Sequence, residues 1–187
     1  MNSNLNASLS FAHEKYQDFI NDLSNFLRIK TVSADSTYSE DMLVGAKWLV
    51  DYLKSLGSND AKILQTQKHP VVYGSLSTAG EDKPTILIYG HYDVQPADPL
   101  ELWKSEPFEP TIKGNLLFAR GSSDMKGQMM VVLSAIKSII ATDALPVNLK
   151  FMFEGEEEIG SPGIHTFLSD HRELFKSDLS SYHCNGY

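Results

Sequence analysis

The stretch ILIYGHYDVQP, residues 86–96, decides how this chain is read. An apolar run stops on Gly90, and His91 and Asp93 follow two residues apart. Residues 85–89 are apolar on both faces, the pattern of a strand in a covered, largely parallel sheet. In open α/β sheets ligands bind outside the carboxyl ends of the strands. His91 and Asp93, just past the end of this strand, therefore stand where chemistry is expected. In an extended His91-Tyr92-Asp93 both outer side chains project the same way. Asp93 can then accept the second ring N–H of His91 and fix the tautomer that binds a metal.

Outward from this stretch, helices alternate with strands. Residues 11–29 read as one amphipathic helix, with Phe19, Leu23, Phe26 and Leu27 at helical spacing. The polar loop TVSADSTYSED offers Ser36 or Ser39 as an N-cap. A second helix runs to about Leu56, with Leu43, Ala46, Val50, Leu53 and Leu56 on one side and Gly57 as its stop. HPVVYGSLS is a strand, and EPTIKGNLLFARG is a hairpin turning at Lys113-Gly114-Asn115. A helix over residues 127–140 places Met130, Leu133, Ile136, Lys137 and Ile140 three or four apart, and residues 147–153 are another strand. The stretch SPGIHTFLSDHRELF opens a last helix, with Ser161 as N-cap and Pro162 at its first position. The sum is an α/β fold, a three-layer sandwich with a mostly parallel or mixed sheet. The sequence contains no internal repeat, low-complexity segment or interdomain linker.

Three acidic clusters end buried elements: GHYDVQP; ARGSSDMKGQ, with Asp124; and FMFEGEEEIGS, with Glu154, Glu156, Glu157 and Glu158. Singly, such clusters are a turn, a helix cap and a solvated face. Together they point to a metal site, because converging carboxylates repel one another and need a cation. Histidine with carboxylates suits zinc or manganese better than calcium.

The bulk properties remove other classes. The 187 residues are 42% hydrophobic and 21% charged, an ordinary globular composition with enough chain for one sizeable core. The net charge of -8 argues against nucleic acid and anionic membranes as partners. The single cysteine, Cys184, excludes an internal disulfide framework, so a cytoplasmic setting is expected. The polar N-terminus shows no signal peptide, and no run is long enough to suggest a transmembrane span.

The segments YGHYDVQP, LWKSEPFEPTIKGNLLFARGSSDMKGQ and EGEEEIGS resemble the di-zinc metallopeptidase family of carnosine dipeptidase, carboxypeptidase G, acetylornithine deacetylase and succinyl-diaminopimelate desuccinylase. FLRIKTVSAD, GAKWLVDYLKSLG and HPVVYG extend the resemblance over nearly the whole chain, and GHYDVQP is most similar to the dipeptidase branch. The resemblance implies a zinc-exopeptidase-like fold and two zinc ions, with manganese or cobalt as substitutes. It implies His91 as a ligand of one zinc, Asp93 as the residue holding that histidine, and Asp124 as the bridging carboxylate followed by a cis peptide. In EGEEEIGS it implies Glu157 as general base and Glu158 as metal ligand, with Glu154 and Glu156 outside these roles. The implied reaction is hydrolysis of the peptide bond of dipeptides or short peptides. The alternatives are an N-acyl amino acid deacylase using the same site and a non-catalytic remnant. A metal-free hydrolase is disfavoured by the His91-Asp93 pair.

Members of that family are more than twice as long. They add a lid and dimerisation domain, work as homodimers, and supply a further metal aspartate and a distal histidine. Here FKSD leads into LSSYHCNGY, which is polar and shows no strand pattern. The expectation is therefore an N-terminal part of a catalytic domain over residues 1–178 and an atypical, disordered tail over 179–187. Such a truncated or frame-shifted fragment would be inactive alone. Asp178 matches the start of the missing strand and is not offered as a ligand. His183 and Cys184 are donors only if the tail is ordered.

Overall fold

The structure, a computed structural model, describes residues 3–182. His183 and Cys184 lie outside the described residues. The chain forms two compact units. One joins the residues up to Ile29 with Ala97–Leu145, and the other joins Lys30–Pro96 with the residues from Pro146 onward.

The second unit is built on a five-stranded sheet. Its order is β1 (Lys62–Leu64), β2 (Val71–Leu76), β6 (Asn148–Glu154), β3 (Thr85–His91) and β7 (Leu179–Tyr182). β1–β2 and β2–β6 are antiparallel, whereas β6–β3 and β3–β7 are parallel, so the sheet is mixed. Alternation along β2 and β6 divides the side chains between two faces. On one face Val71, Tyr73 and Met152 form a core with Phe167 and Phe175. Phe167 comes from α5 (Ile164–Asp170). The other face packs on α3 (Ser39–Ser55), where a Cβ added to Gly74 would meet Leu53 Cδ1 at 3.0 Å. This unit is therefore a helix–sheet–helix sandwich, the layering expected from the sequence.

The register places the chemistry. His91 pairs with Glu154, and Tyr92 N–H donates to the Glu154 carbonyl at 2.9 Å. The two acidic motifs thus leave adjacent parallel strands side by side. β3 runs through His91, so the histidine is the last strand residue rather than the first beyond it. Thr85–Tyr89 is half-buried, less covered than its apolar sequence suggested.

Several local expectations change. The stretch LSSYHCNGY contributes a strand after all: Leu179–Tyr182 pairs with Ile86–Tyr89. The pairing is anchored by Asp178, whose N–H donates to the Thr85 carbonyl and whose carboxylate accepts from Thr85 N–H. Backbone pairing with an existing strand overrides a polar side-chain pattern. β1 has no clear sequence signature and forms as the antiparallel neighbour of β2. In α3 the buried stripe is Met42, Ala46, Leu49, Val50 and Leu53, and Leu43 is half-exposed. Ser39 is the first residue of α3. The preceding turn, Ser36–Tyr38, is capped by the Asp35 carboxylate accepting from Thr37 N–H. Gly57, at φ 103°, follows α3 as its expected stop. Ser161 is not an N-cap: it sits at φ 47°, and α5 begins only at Ile164. Its N–H donates to the Glu156 carbonyl, so it closes the glutamate loop instead of opening a helix.

The first unit holds α1 (Ser3–Glu14), α2 (Tyr16–Arg28), the hairpin β4 (Thr111–Lys113) and β5 (Leu116–Phe118), and α4 (Lys126–Thr142). The single helix expected over residues 11–29 is two helices divided at Lys15, and the first reaches back to Ser3. Contacts with α4 account for that extension: Ser8 Oγ lies 2.7 Å from Thr142 Oγ1, and Asn4 donates to Asp143. The hairpin turns at Gly114-Asn115 as expected, with Gly114 at φ 61°.

The Asp60 carboxylate ties the turn after α3 to β2. It accepts from Ser75 N–H and Ser75 Oγ at 2.8 Å each and from Ser58 Oγ at 3.0 Å. Partial burial raises its pKa, but these hydrogen bonds outweigh that and leave it below the ordinary value. A depressed carboxylate pKa stabilises the fold above the unfolded-state value, and this stabilisation is lost as pH falls through the folded-state value. Asp60→Asn is therefore expected to lower the thermal midpoint at pH 7. The deficit should shrink below about pH 4, where the unfolded-state carboxyl is already protonated; calorimetry at a series of pH values measures this.

Candidate functional site

The site is assembled at the ends of β3 and β6. The Asp93 side chain is fully buried, and its oxygens bind in different directions. Oδ2 accepts from Ser33 Oγ at 2.6 Å and from Glu158 N–H at 3.0 Å. Oδ1 lies 3.4 Å from His91 Nδ1, which is also 3.1 Å from the Asp93 carbonyl. Asp93 thus binds the glutamate loop through Oδ2 and faces the histidine through Oδ1 and its own carbonyl. The backbone is held as well: Val94 N–H donates to the Thr31 carbonyl and Thr31 Oγ1 donates to the Tyr92 carbonyl.

His91 is 3% exposed, and its Nε2 faces Glu157 Oε2 at 3.8 Å. Burial disfavours its charged form. The hydrogen bond and charge of Asp93 and the charge of Glu157 outweigh that and raise its pKa to about 9. The geometry is therefore an imidazole oriented by one carboxylate and presented to another.

The four glutamates separate by environment. Glu154, 3% exposed, accepts from the Tyr89 hydroxyl. Its carboxyl is shifted toward the neutral form by burial, against the hydroxyls of Tyr89 and Ser161. Glu156 Oε1 accepts from Thr66 Oγ1 at 2.7 Å and His69 N–H at 2.9 Å, pinning the loop before β2. Glu158 Oε2 accepts from Gln95 Nε2 at 2.8 Å. Glu157 is 39% exposed, and among the described residues its carboxylate accepts no hydrogen bond; its neighbour is His91.

Between these residues the backbone passes too closely for any side chain. A Cβ on Gly155 would lie 2.5 Å from the Tyr92 hydroxyl oxygen. Tyr92 is itself buried and donates to the Pro70 carbonyl at 2.8 Å. Gly160, at φ 85°, then turns the loop back toward Ser161.

Asp124 lies in the first unit, immediately before α4, and the Asp124-Met125 peptide is cis, as the resemblance implied. The next residue, Lys126, is fully buried. Its ammonium donates to the Phe26 and Ile29 carbonyls at 3.1 and 2.7 Å, capping the end of α2.

Within one unit the structure brings together His91, Asp93, Glu157 and Glu158. Sequence reasoning missed Ser33 and Gln95, and it gave no function to Glu154 and Glu156. Gln95 stood inside a recognised motif, but Ser33 carries no local signal: it reaches Asp93 only because residues 31–33 run beside the end of β3, with Val32 bridged to Val94. Among the described residues no group of three or more His, Cys, Asp and Glu is gathered so as to hold a metal ion. The donor chemistry still fits a divalent cation, since an imidazole held at Nδ1 by a buried carboxylate stands beside further carboxylates.

Residues 87–185, which include the ends of both strands and the glutamate loop, match peptidase family M20/M25/M40. The chain belongs to this family. The Cys-Gly metallodipeptidase DUG1 of Candida albicans is 39% identical over 165 residues, 81% of this chain and 34% of that protein. The solved structure of the di-peptidase Dug1p of Saccharomyces cerevisiae matches with a TM-score of 0.90 at 26% identity, covering 98% of this chain and 41% of that one. Human carnosine dipeptidase 1 matches with a TM-score of 0.90 at 26% identity, covering all of this chain and 42% of that one. The chain spans about a third of the length of the curated relatives it matches.

Removing a partner from a buried charged cluster costs about 3–5 kcal/mol, and losing a single hydrogen bond costs about 1 kcal/mol. Asp93→Ala is therefore expected to destabilise the fold by about 3 kcal/mol or more, and Ser33→Ala by about 1 kcal/mol. Urea unfolding measures both.

Proposed function

We propose that this chain carries the histidine and glutamate motifs of a metal-dependent hydrolase that cleaves the peptide bond of dipeptides. The observation that carries this reading is the separate environment of Glu157. Glu154, Glu156 and Glu158 are tied by hydrogen bonds, whereas Glu157 keeps its carboxylate for other work beside His91. Membership of the family and the dipeptidase names of the relatives support it.

In this reading His91, through Nε2, and Glu158 are ligands of a divalent metal, with zinc first and manganese or cobalt as substitutes. Asp124 is assigned as a further ligand on its motif alone, and the full complement is two metal ions. Bound metal would polarise the peptide carbonyl and acidify a water molecule. Asp93 holds the His91 ring by Nδ1, which directs Nε2 outward. Glu157 takes a proton from the attacking water and returns it to the leaving amine. Water adds across the C–N bond, giving a carboxylic acid and an amine, and Glu157 ends the cycle as it began. The site works in the cytoplasm on small peptides, in a protein that acts as a homodimer.

The test uses the whole protein with Cys-Gly as substrate and an N-acetyl amino acid as competitor. Turnover is expected to vanish with a chelator and to return with zinc. Glu157→Ala is expected to lower kcat by about 10²–10⁴, the usual contribution of a general base, with zinc content unchanged. Glu158→Ala is expected to lower zinc content as well. Equal zinc loss in the two variants would overturn the division of roles. Faster turnover of the N-acetyl amino acid would replace dipeptidase by deacylase.

A further inference from the structure

Glu154 has no role in the chemistry just described, yet it occupies an expensive position. It is the last residue of β6, it is 3% exposed, and it sits in register with His91. Tyr89, two residues before His91 on β3, projects from the same face and donates its hydroxyl to the Glu154 carboxyl. The second oxygen, Oε2, is buried and makes no hydrogen bond of good geometry among the described residues, although the Ser161 hydroxyl stands beside the carboxyl. Leaving a buried polar atom unsatisfied costs about 1–3 kcal/mol, so an apolar side chain of similar size would pack here at lower cost. Packing alone therefore does not account for a glutamate at this position.

Position accounts for it better. The loop from Gly155 to Ser161 carries Glu157 and Glu158, and it leaves the sheet directly after Glu154. Its middle is held by Glu156 to Thr66 and His69, and by Glu158 N–H to Asp93. Its start is held to the histidine strand by the hydrogen bond from Tyr89 to Glu154, beside the backbone bond from Tyr92 N–H to the Glu154 carbonyl and the packing of Gly155 on the Tyr92 ring. Glu157 lies three residues beyond that anchor, and among the described residues its carboxylate accepts no hydrogen bond. Its 3.8 Å separation from His91 Nε2 depends on where the loop leaves β6.

We propose that Glu154 is a positioning residue: its buried carboxyl, held by the Tyr89 hydroxyl, locks the start of the glutamate loop to the strand that presents His91 and so sets Glu157 against that histidine. The proposal rests on the hydrolase reading for its catalytic consequence, but its structural content stands apart from that reading. The contact is local to one unit, and it acts through backbone placement rather than by touching substrate.

The test compares Glu154→Leu, Glu154→Gln and Tyr89→Phe in the whole protein by two measurements. The first is amide hydrogen exchange of residues 155–161. The second is steady-state turnover of Cys-Gly with zinc. Glu154→Leu keeps the volume and removes the hydrogen bond. It is expected to keep or raise the thermal midpoint, to speed exchange in the loop about tenfold with the remaining strands unchanged, and to lower kcat about 10–100-fold with KM within about threefold. Glu154→Gln can still accept from Tyr89 and is expected to restore most of both properties. Tyr89→Phe is expected to reproduce part of the Glu154→Leu effect, and the double variant to be no worse than Glu154→Leu alone. Wild-type exchange and kcat in Glu154→Leu would overturn the proposal, as would additive losses in the double variant. If Glu154→Leu does not fold, Tyr89→Phe decides, because it removes only a hydroxyl. Failure of the wild type to hydrolyse Cys-Gly would sink the hydrolase reading instead, and the exchange measurement would still judge the role of Glu154.

Discussion

The fully buried carboxylate of Asp93 is the constraint on which the site depends. A charge removed from water is tolerated only where several donors replace its hydration. Here the donors are Ser33 and the backbone of Glu158, remote from each other in sequence, and the His91 ring stands 3.4 Å from the other oxygen. Each is far weaker alone than the cost of burying the charge. The pocket therefore closes as a unit, with the histidine, the glutamate loop and the segment before α3 set together. The same carboxylate, with the charge of Glu157 added, raises the proton affinity of His91.

The sheet supplies the second constraint. Parallel pairing of β3 with β6 sets His91 opposite Glu154, and the loops leaving those strands start from adjacent points. Backbone contact then controls the path: the Gly155 Cα passes against the Tyr92 ring, and Gly160 turns the chain at positive φ. Side chains of the glutamate cluster that look equivalent in sequence are sorted by this path. Two turn inward and become anchors, one binds Gln95, and one is left beside the histidine. An acidic run that reads as a solvated face is in fact a loop held largely by its own carboxylates.

The first unit shows the same economy around Asp124. Lys126 spends a fully buried ammonium on the last carbonyls of α2 and on the face of the Phe26 ring, 4.7 Å away. The lysine of DMKG is an internal cap. Together with the α1–α4 contacts of Ser8 and Asn4, it makes the order of this unit a matter of side-chain-to-backbone bonds as much as of apolar stripes.

The α/β class, the mixed or parallel sheet and most of its strands were legible in the amino-acid pattern, because period and punctuation are local properties. It also determined the family, because His91, Asp93, Asp124 and the glutamate run are spaced as that family spaces them. Tertiary structure decided the rest. The strand at Leu179–Tyr182 exists because β3 offers an unpaired edge, which no side-chain pattern in that polar stretch records. Leu43 lost its place in the stripe of α3 because packing chose the adjacent face. Ser161 became a loop closure: the turn after Gly160 puts it at φ 47°, away from the extended backbone an N-cap adopts, and the helix starts only at Ile164. Ser33 joined the site because a chain segment remote in sequence runs beside Asp93. The unequal fates of Glu154, Glu156, Glu157 and Glu158 were equally beyond reach, because they depend on which donor each carboxylate meets, and those donors lie up to 90 residues away in the chain.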